Sequence, residues 1–228
     1  MRLNVRHVMG RGEIARTTRG RGVAALVLLM ACGEDAVPSI AQARGQTNGT
    51  SAIIEGYVTA PPGAFESAMG NPGFVLQDDT GGIYVKVATR LAFGLGTRVR
   101  VLGVLAEEAR FRLLVAETSM LQPLAGPRQI TPVDVKTGTV GEATEGQLVR
   151  VTGRVTRTFE DDAPYGYKLY VNDGSGEVQI FVHLFPGVPT ALLKGLTLAQ
   201  TITVTGVSAQ YESTYEVAPR QASDILVK

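Results

Sequence analysis

"GFVLQDDTGGIYVKV" at residues 73–87 has a counterpart in "YKLYVNDGSGEVQIFV" at residues 167–182. Each consists of two apolar runs around a turn. In the first, Ile83, Val85 and Val87 alternate with Tyr84 and Lys86, the two-residue period of a half-buried strand. In the second, Val178, Ile180 and Val182 are expected inward, with Gln179 and Phe181 outward. "DDTGG" and "NDGSG" supply the Asp, Asn and Gly that give tight hairpins their positive φ angles.

Outward from these hairpins the chain repeats itself in order. "AIIEGYVTA" (52–60), "GTRVRVLGVLAE" (96–107) and "RFRLLVAE" (110–117) flank the first. "VRVTGRVTR" (149–157), "AQTITVTGVSAQ" (199–210) and "TYEVAP" (214–219) flank the second. Gly56 matches Gly153, Gly103 matches Gly206, and Asp78-Asp79 matches Asn172-Asp173. A solenoid needs at least three repeats, so each of two copies must close its own core. Glycine inside a strand marks a bend or bulge, and a small closed barrel needs strongly bent strands. "PTALLKGL" (189–196) is a short helix between the third and fourth strands of the second copy. Five short strands with a helix at that place describe an OB-fold. The expected fold is therefore all-β: two tandem five-stranded OB-fold (Greek-key) barrels, over 51–125 and 126–228, each with at most a short helix.

The residues carry a family likeness too. "EGYVTAPPG" (55–63), followed by 73–87 and "GTRVRVLGVL" (96–105), resembles the OB domains attached to secreted bacterial nucleases and envelope lipoproteins. "ITPVDVKTGTVGEATEGQLVRVTGRV" (130–155) resembles the helical lead-in and first strand of such a domain. The resemblance covers about residues 50 to 228 and reports turns and bends; it includes no nuclease domain. It implies a ligand laid across the second and third strands, between the first-to-second and fourth-to-fifth loops.

The N-terminus has a different composition. Residues 1–31 carry Arg2, Arg6, Arg11, Arg16, Arg19 and Arg21 against one acid, Glu13, and end on the uncharged run "GVAALVLLMA" (22–31). A bilayer span takes ~20 apolar residues; basic, then apolar, then small is the order of a secretory signal peptide. "LMAC" (29–32) resembles the bacterial lipobox, cut before a cysteine that receives a lipid. Cys32, the single cysteine, is thus the expected lipidation site, with cleavage after "AQA" (41–43) as the alternative. Residues 32–50 are small and polar without apolar periodicity and read as a flexible tether. The expected location is the cell envelope, lipid-anchored outside the cytoplasm, or secreted. Residues 32–228 hold 16 basic and 20 acidic side chains, a formal −4, so the whole chain's +1 belongs to the leader.

Catalysis needs a constellation of groups. Beyond residue 31 there is one histidine, His183, and no cysteine but Cys32. No G-x-S-x-G elbow, zinc-type cluster, calcium-loop spacing, phosphate loop or dinucleotide fingerprint occurs. No metal and no cofactor is expected, and the chain reads as a non-enzyme. Binding is the remaining proposal. Single-stranded nucleic acid needs aromatic platforms beside cations. Tyr57, Tyr84, Lys86, Arg150, Arg154, Lys168, Tyr170 and Phe181 are the expected ligand residues, with Arg98, Arg100, Arg110, Arg112, Arg157, Tyr211 and Tyr215 as further outward candidates. An oligosaccharide would suit the same face. The −4 charge opposes a nucleic-acid footprint and favours the alternative, barrels that dock an envelope protein. In the long first loop "PPGAFESAMGNPG" (61–73), Phe65 and Met69 are expected to be exposed for such contacts.

Overall fold

The computed structural model describes residues 37–228 except 68, 69, 71, 90, 185 and 186. Ten strands form two closed barrels. The first contains β1 (Ser51–Ala60), β2 (Gly73–Gln77), β3 (Gly82–Lys86), β4 (Arg98–Glu108) and β5 (Phe111–Val115), and a short β6 (Leu121–Leu124) pairs with β4. After a two-residue β7 (Val133–Asp134), the second contains β8 (Leu148–Asp162), β9 (Gly166–Asn172), β10 (Glu177–His183), β11 (Thr201–Tyr211) and β12 (Thr214–Ala218); β13 (Ile225–Val227) pairs with β11. In each, the first strand pairs with the second and the fourth, and the third runs parallel to the fifth. This is the OB arrangement in both copies. Helix α2 (Thr190–Lys194) stands between β10 and β11, where the sequence places it.

The alternation is observed. Ile83, Val85 and Val87 enter the first core, and Val178, Ile180 and Val182 the second. Gly103 and Gly206 are needed for close approach: a Cβ there would stand 2.6 Å from the Val115 carbonyl and 2.5 Å from that of Ala218. The two hairpins differ in their turns. Gly174 and Gly176 have positive φ, whereas Asp78 closes its turn by accepting from the Thr80 and Gly81 amides. The pairing also corrects the repeat by one residue. Gln77 opposes Gly82 and Asn172 opposes Glu177, so Asp78 corresponds to Asp173.

The tether expected over 32–50 is corrected from residue 39 onward. Ile40–Arg44 form α1, capped at Ser39, with Ile40 and Ala43 fully buried against the first core. The Ile40 amide donates to Asp78 at 2.8 Å, and the Arg44 guanidinium pairs with buried Glu145 at 2.8 Å. Five residues are too few to display a helical period, so only the contacts identify this helix.

A third apolar cluster lies between the barrels. Val75, Tyr84, Phe111 and Leu113 of the first pack with Val207, Ala209 and Ala218 of the second, and Phe65 from the β1–β2 loop completes it. Hydrogen bonds seal its edges: Leu148 N–H to Gln77 Oε1 at 2.8 Å, and Arg220 Nη1 to the Thr59 carbonyl at 2.7 Å. At Gly82 the backbones touch, since a Cβ there would lie 1.9 Å from the Gly146 carbonyl oxygen.

Candidate functional site

The outer surface of the second and third strands, between the first-to-second and fourth-to-fifth loops, is the face an OB barrel offers to a ligand. On the first barrel this surface is the third cluster, covered by β11 and β12. The expected exposure of Tyr84 and Phe65 is therefore corrected. Tyr84 points out of its own barrel but into its neighbour and is fully buried, which lifts its phenol well above the ordinary value. Phe65 is 2% exposed, its ring 5.4 Å from Tyr84, 5.9 Å from Phe111 and 5.2 Å from His183.

On the second barrel the matching surface of β9, β10 and β12 carries its own polar array. Bulges in β8 bring Arg157 opposite Tyr170, and its guanidinium lies 4.1 Å from the ring centroid. Arg157 also pairs with Glu177 at 2.6 Å. Tyr170 donates to Gln179 Oε1 at 3.2 Å, and Gln179 Nε2 donates to Glu216 Oε2 at 2.8 Å. Glu216 is buried; desolvation pushes its carboxyl up to about 7, with the Gln179 bond and the Lys168 charge acting against the rise. Phe181 and Lys168 oppose each other one step along the hairpin, and Lys168 pairs with Asp162 at 2.9 Å. At the other end Arg154 lies opposite Asn172, exposed, with no ion pair among the described residues.

Beside Tyr170 a depression of about 320 Å³ opens between the hairpin, the β11–β12 turn and the lead-in to the barrel. Tyr170 and Gln179 form its floor, Ser213, Thr214 and Tyr215 one wall, and Thr137 the other. Thr137 is fixed there by donating to Asp173 at 2.7 Å, and Tyr215 by donating to Glu142 at 3.2 Å. A ring to stack on, a cation over it and a row of amide, hydroxyl and carboxyl groups can hold a planar, hydrogen-bonding ligand.

Lys168, Tyr170 and Phe181 thus share one open face with Arg154 and Arg157, and the others do not join it. Tyr57, half-buried on β1, lies beneath the Arg128 guanidinium, 4.4 Å from the ring centroid. Lys86 is ion-paired with Glu108, and Arg150 with Asp134 on β7 at 2.6 Å. Arg150 has left the groove because β7 and β11, not β9, flank that part of β8. Cys32 and Met69 lie outside the described residues. Sequence reasoning missed Gln179, Glu216 and Thr137. The hairpin register marks Gln179 as the partner of Tyr170, but only folding brings Glu216 and Thr137 to it. Among the described residues, no group of three or more His, Cys, Asp or Glu side chains is placed to hold a metal.

The fold and this face define the class: a pair of tandem OB-type barrels, the outward hairpin face of one open and that of the other covered. No family profile matches the chain. Its sequence is 27% identical over 197 residues to Endonuclease YhcR of Bacillus subtilis (strain 168), across 82% of this chain. The chain spans about 16% of that relative's length. Among solved structures it is similar to a murine DNA-binding protein bound with double-stranded DNA, at 10% identity and TM-score 0.42, over 77% of this chain and 96% of the other. It is also similar to an OBody bound to hen egg-white lysozyme, at 18% identity and TM-score 0.32, over 45% and 96%. The likeness to an endonuclease corrects the expectation of a non-enzyme. A search for catalytic side chains could not register that likeness, since it looks only for reacting groups.

Proposed function

We propose that this chain is a nucleic-acid-holding OB module of nuclease-type machinery, and that a single strand lies across β9, β10 and β12 of the second barrel. The observation that carries the reading is Tyr170, stacked under Arg157 on the open face beside Phe181 and Lys168. Base–aromatic stacking is sequence-tolerant, and each stacked base contributes roughly 1–3 kcal/mol. The sequence similarity to an endonuclease supports this choice of ligand over an oligosaccharide. Lys168 and Arg157 hold carboxylate partners that a phosphate must displace, so the salt dependence is modest for a nucleic-acid binder. The test is anisotropy of a fluorescein-labelled oligothymidine with the chain from residue 33 onward. Tyr170→Ala should weaken binding about tenfold, within the range for one lost stacked base. No binding at low salt, or an unchanged affinity in the variant, overturns the reading.

We propose further that Cys32 is lipidated and anchors the module outside the cytoplasm. Support comes from α1: cleavage after Ala43 would cut within the helix and remove Ile40 and Ala43 from the first core. A second reading, docking to an envelope protein, is favoured by one observation. Ile53, Leu102 and Met120 line an exposed depression of about 450 Å³ on the first barrel. Cross-linking from Leu102 to one stoichiometric partner would establish it, and its absence would remove it.

A further inference from the structure

We infer that Arg110, on the β4–β5 turn of the first barrel, is a phosphate-contacting residue of the ligand site on the second, which makes that site a composite of both barrels. The inference rests on the single-strand reading above. It begins with a backbone contact: Glu212 N–H donates to the Ala109 carbonyl at 2.7 Å. That bond joins the β4–β5 turn to the β11–β12 turn, the corresponding turns of the two copies. The β11–β12 turn continues into Ser213, Thr214 and Tyr215, the wall of the depression beside Tyr170.

Arg110 thus follows directly on the residue that bonds to this turn, and the residues that line the depression all come from the second barrel. Its neighbour Phe111 is 2% exposed and packs edge-on against Phe65, which anchors the turn from beneath. Arg110 itself is exposed and has no ion pair among the described residues, unlike Arg157, Arg150 and Lys168. Its charge acts at the depression. Burial and Glu142 hold the Tyr215 phenol above its ordinary value, and Arg110 acts in the opposite sense.

The backbone adds a separate argument. Ala109 and Arg110 have φ of +48° and +68°, successive left-handed residues in a two-residue hairpin. Such a turn favours Asn-Gly or Gly-Gly, so arginine is held there against local preference. A side chain kept at a conformational cost, unpaired and beside a ligand depression, fits a contact made only when the ligand is bound.

Arg110→Gly separates the two roles, because glycine suits the turn and removes the guanidinium. The wild type, Arg110→Gly, Arg110→Asn and Arg110→Lys are titrated with labelled oligothymidine at several KCl concentrations, and each is melted alone. The expected result is binding about tenfold weaker in the Gly and Asn variants, the loss of one charged hydrogen bond. Their salt slope should fall by about 0.7, one single-strand phosphate, with no loss of Tm. Arg110→Lys should keep the slope. If the wild type binds and the Gly and Asn variants match it in affinity and slope, Arg110 has no such role and the single-strand reading stands. If the wild type does not bind, both fall together.

Discussion

Replacing Glu216 by glutamine should stabilise the protein above pH 7 and reverse no contact that the folded state needs. Glu216 is 6% exposed on β12. Gln179 of β10 donates to it, Lys168 of β9 is the cation facing it, Asp162 of β8 is the anion, and its β11 neighbour is the uncharged Ala209. Burial dominates and lifts the carboxyl from its ordinary 4.5 to about 7. The folded state therefore holds this proton more tightly than the unfolded chain. Its contribution is fully present below pH 4.5 and is lost as pH rises through 7, a difference of about 3 kcal/mol. His183 acts in the opposite direction. Its ring, buried with Nε2 unpartnered, is lowered from 6.5 to about 4, so its contribution is present above pH 6.5 and lost as pH falls through 4. Between pH 4.5 and 6.5 the two slopes, each about 1.4 kcal/mol per pH unit, oppose each other in the wild type.

The assay is urea unfolding at a series of pH values from 4.5 to 8, followed by far-UV circular dichroism, since the chain has no tryptophan. Glu216→Gln should match the wild type near pH 4.5 and exceed it by up to about 3 kcal/mol at pH 8. Its stability should climb between pH 4.5 and 6.5, exposing the histidine. His183→Leu should show the converse, a fall over pH 4.5 to 7. Parallel profiles for the wild type and Glu216→Gln would refute the reasoning, because a solvated carboxylate at 216 has no reason to titrate near neutrality.

Two further predictions concern the parts around the site. Phe65→Ala removes the ring that touches Tyr84, Phe111 and His183, and should cost about 3–5 kcal/mol while speeding amide exchange at Tyr84 and Val207; an unchanged melt would mean the barrels do not depend on that contact. Cys32→Ala should move the protein from the membrane fraction to the soluble one with its circular dichroism unaltered, and retention on the membrane would refute the lipid anchor.

The barrels were legible because their signals are local. Alternation in 82–87 and 177–183, glycine at 103 and 206, and "PTALLKGL" each report on one segment. What pairs distant segments was not. Tyr84 alternates correctly and points outward as read, yet outward leads into Val207 and Ala218, more than a hundred residues along the chain. The same limit applied to charge. Arg150 and Arg154 lie four apart on one strand, but Asp134 captures only the first. The helix at 40–44 falls in a stretch without apolar periodicity, and the core that Ile40 joins lies in strands that begin beyond residue 50.

The register explains how one repeated design yields one open face and one closed one. Val75 and Tyr84 oppose each other in the first hairpin, and Tyr84 lies beside Leu113 on the parallel fifth strand. The same three positions in the second barrel are Tyr170, Gln179 and Glu216. In the first copy they are a valine, a tyrosine and a leucine, which bury well against a neighbour and leave no polar group except one phenol to satisfy. In the second they are three hydrogen-bonding side chains that satisfy one another in sequence, Tyr170 to Gln179 to Glu216, with Glu216 buried and the other two half-buried. Exchanging the sets would fail both ways: the polar chain would be unsolvated inside the interface, and the apolar set would leave a sticky patch in water. Docking has thus covered the outward hairpin face of the first barrel, while a backbone hydrogen bond joins its β4–β5 turn to the β11–β12 turn of the second.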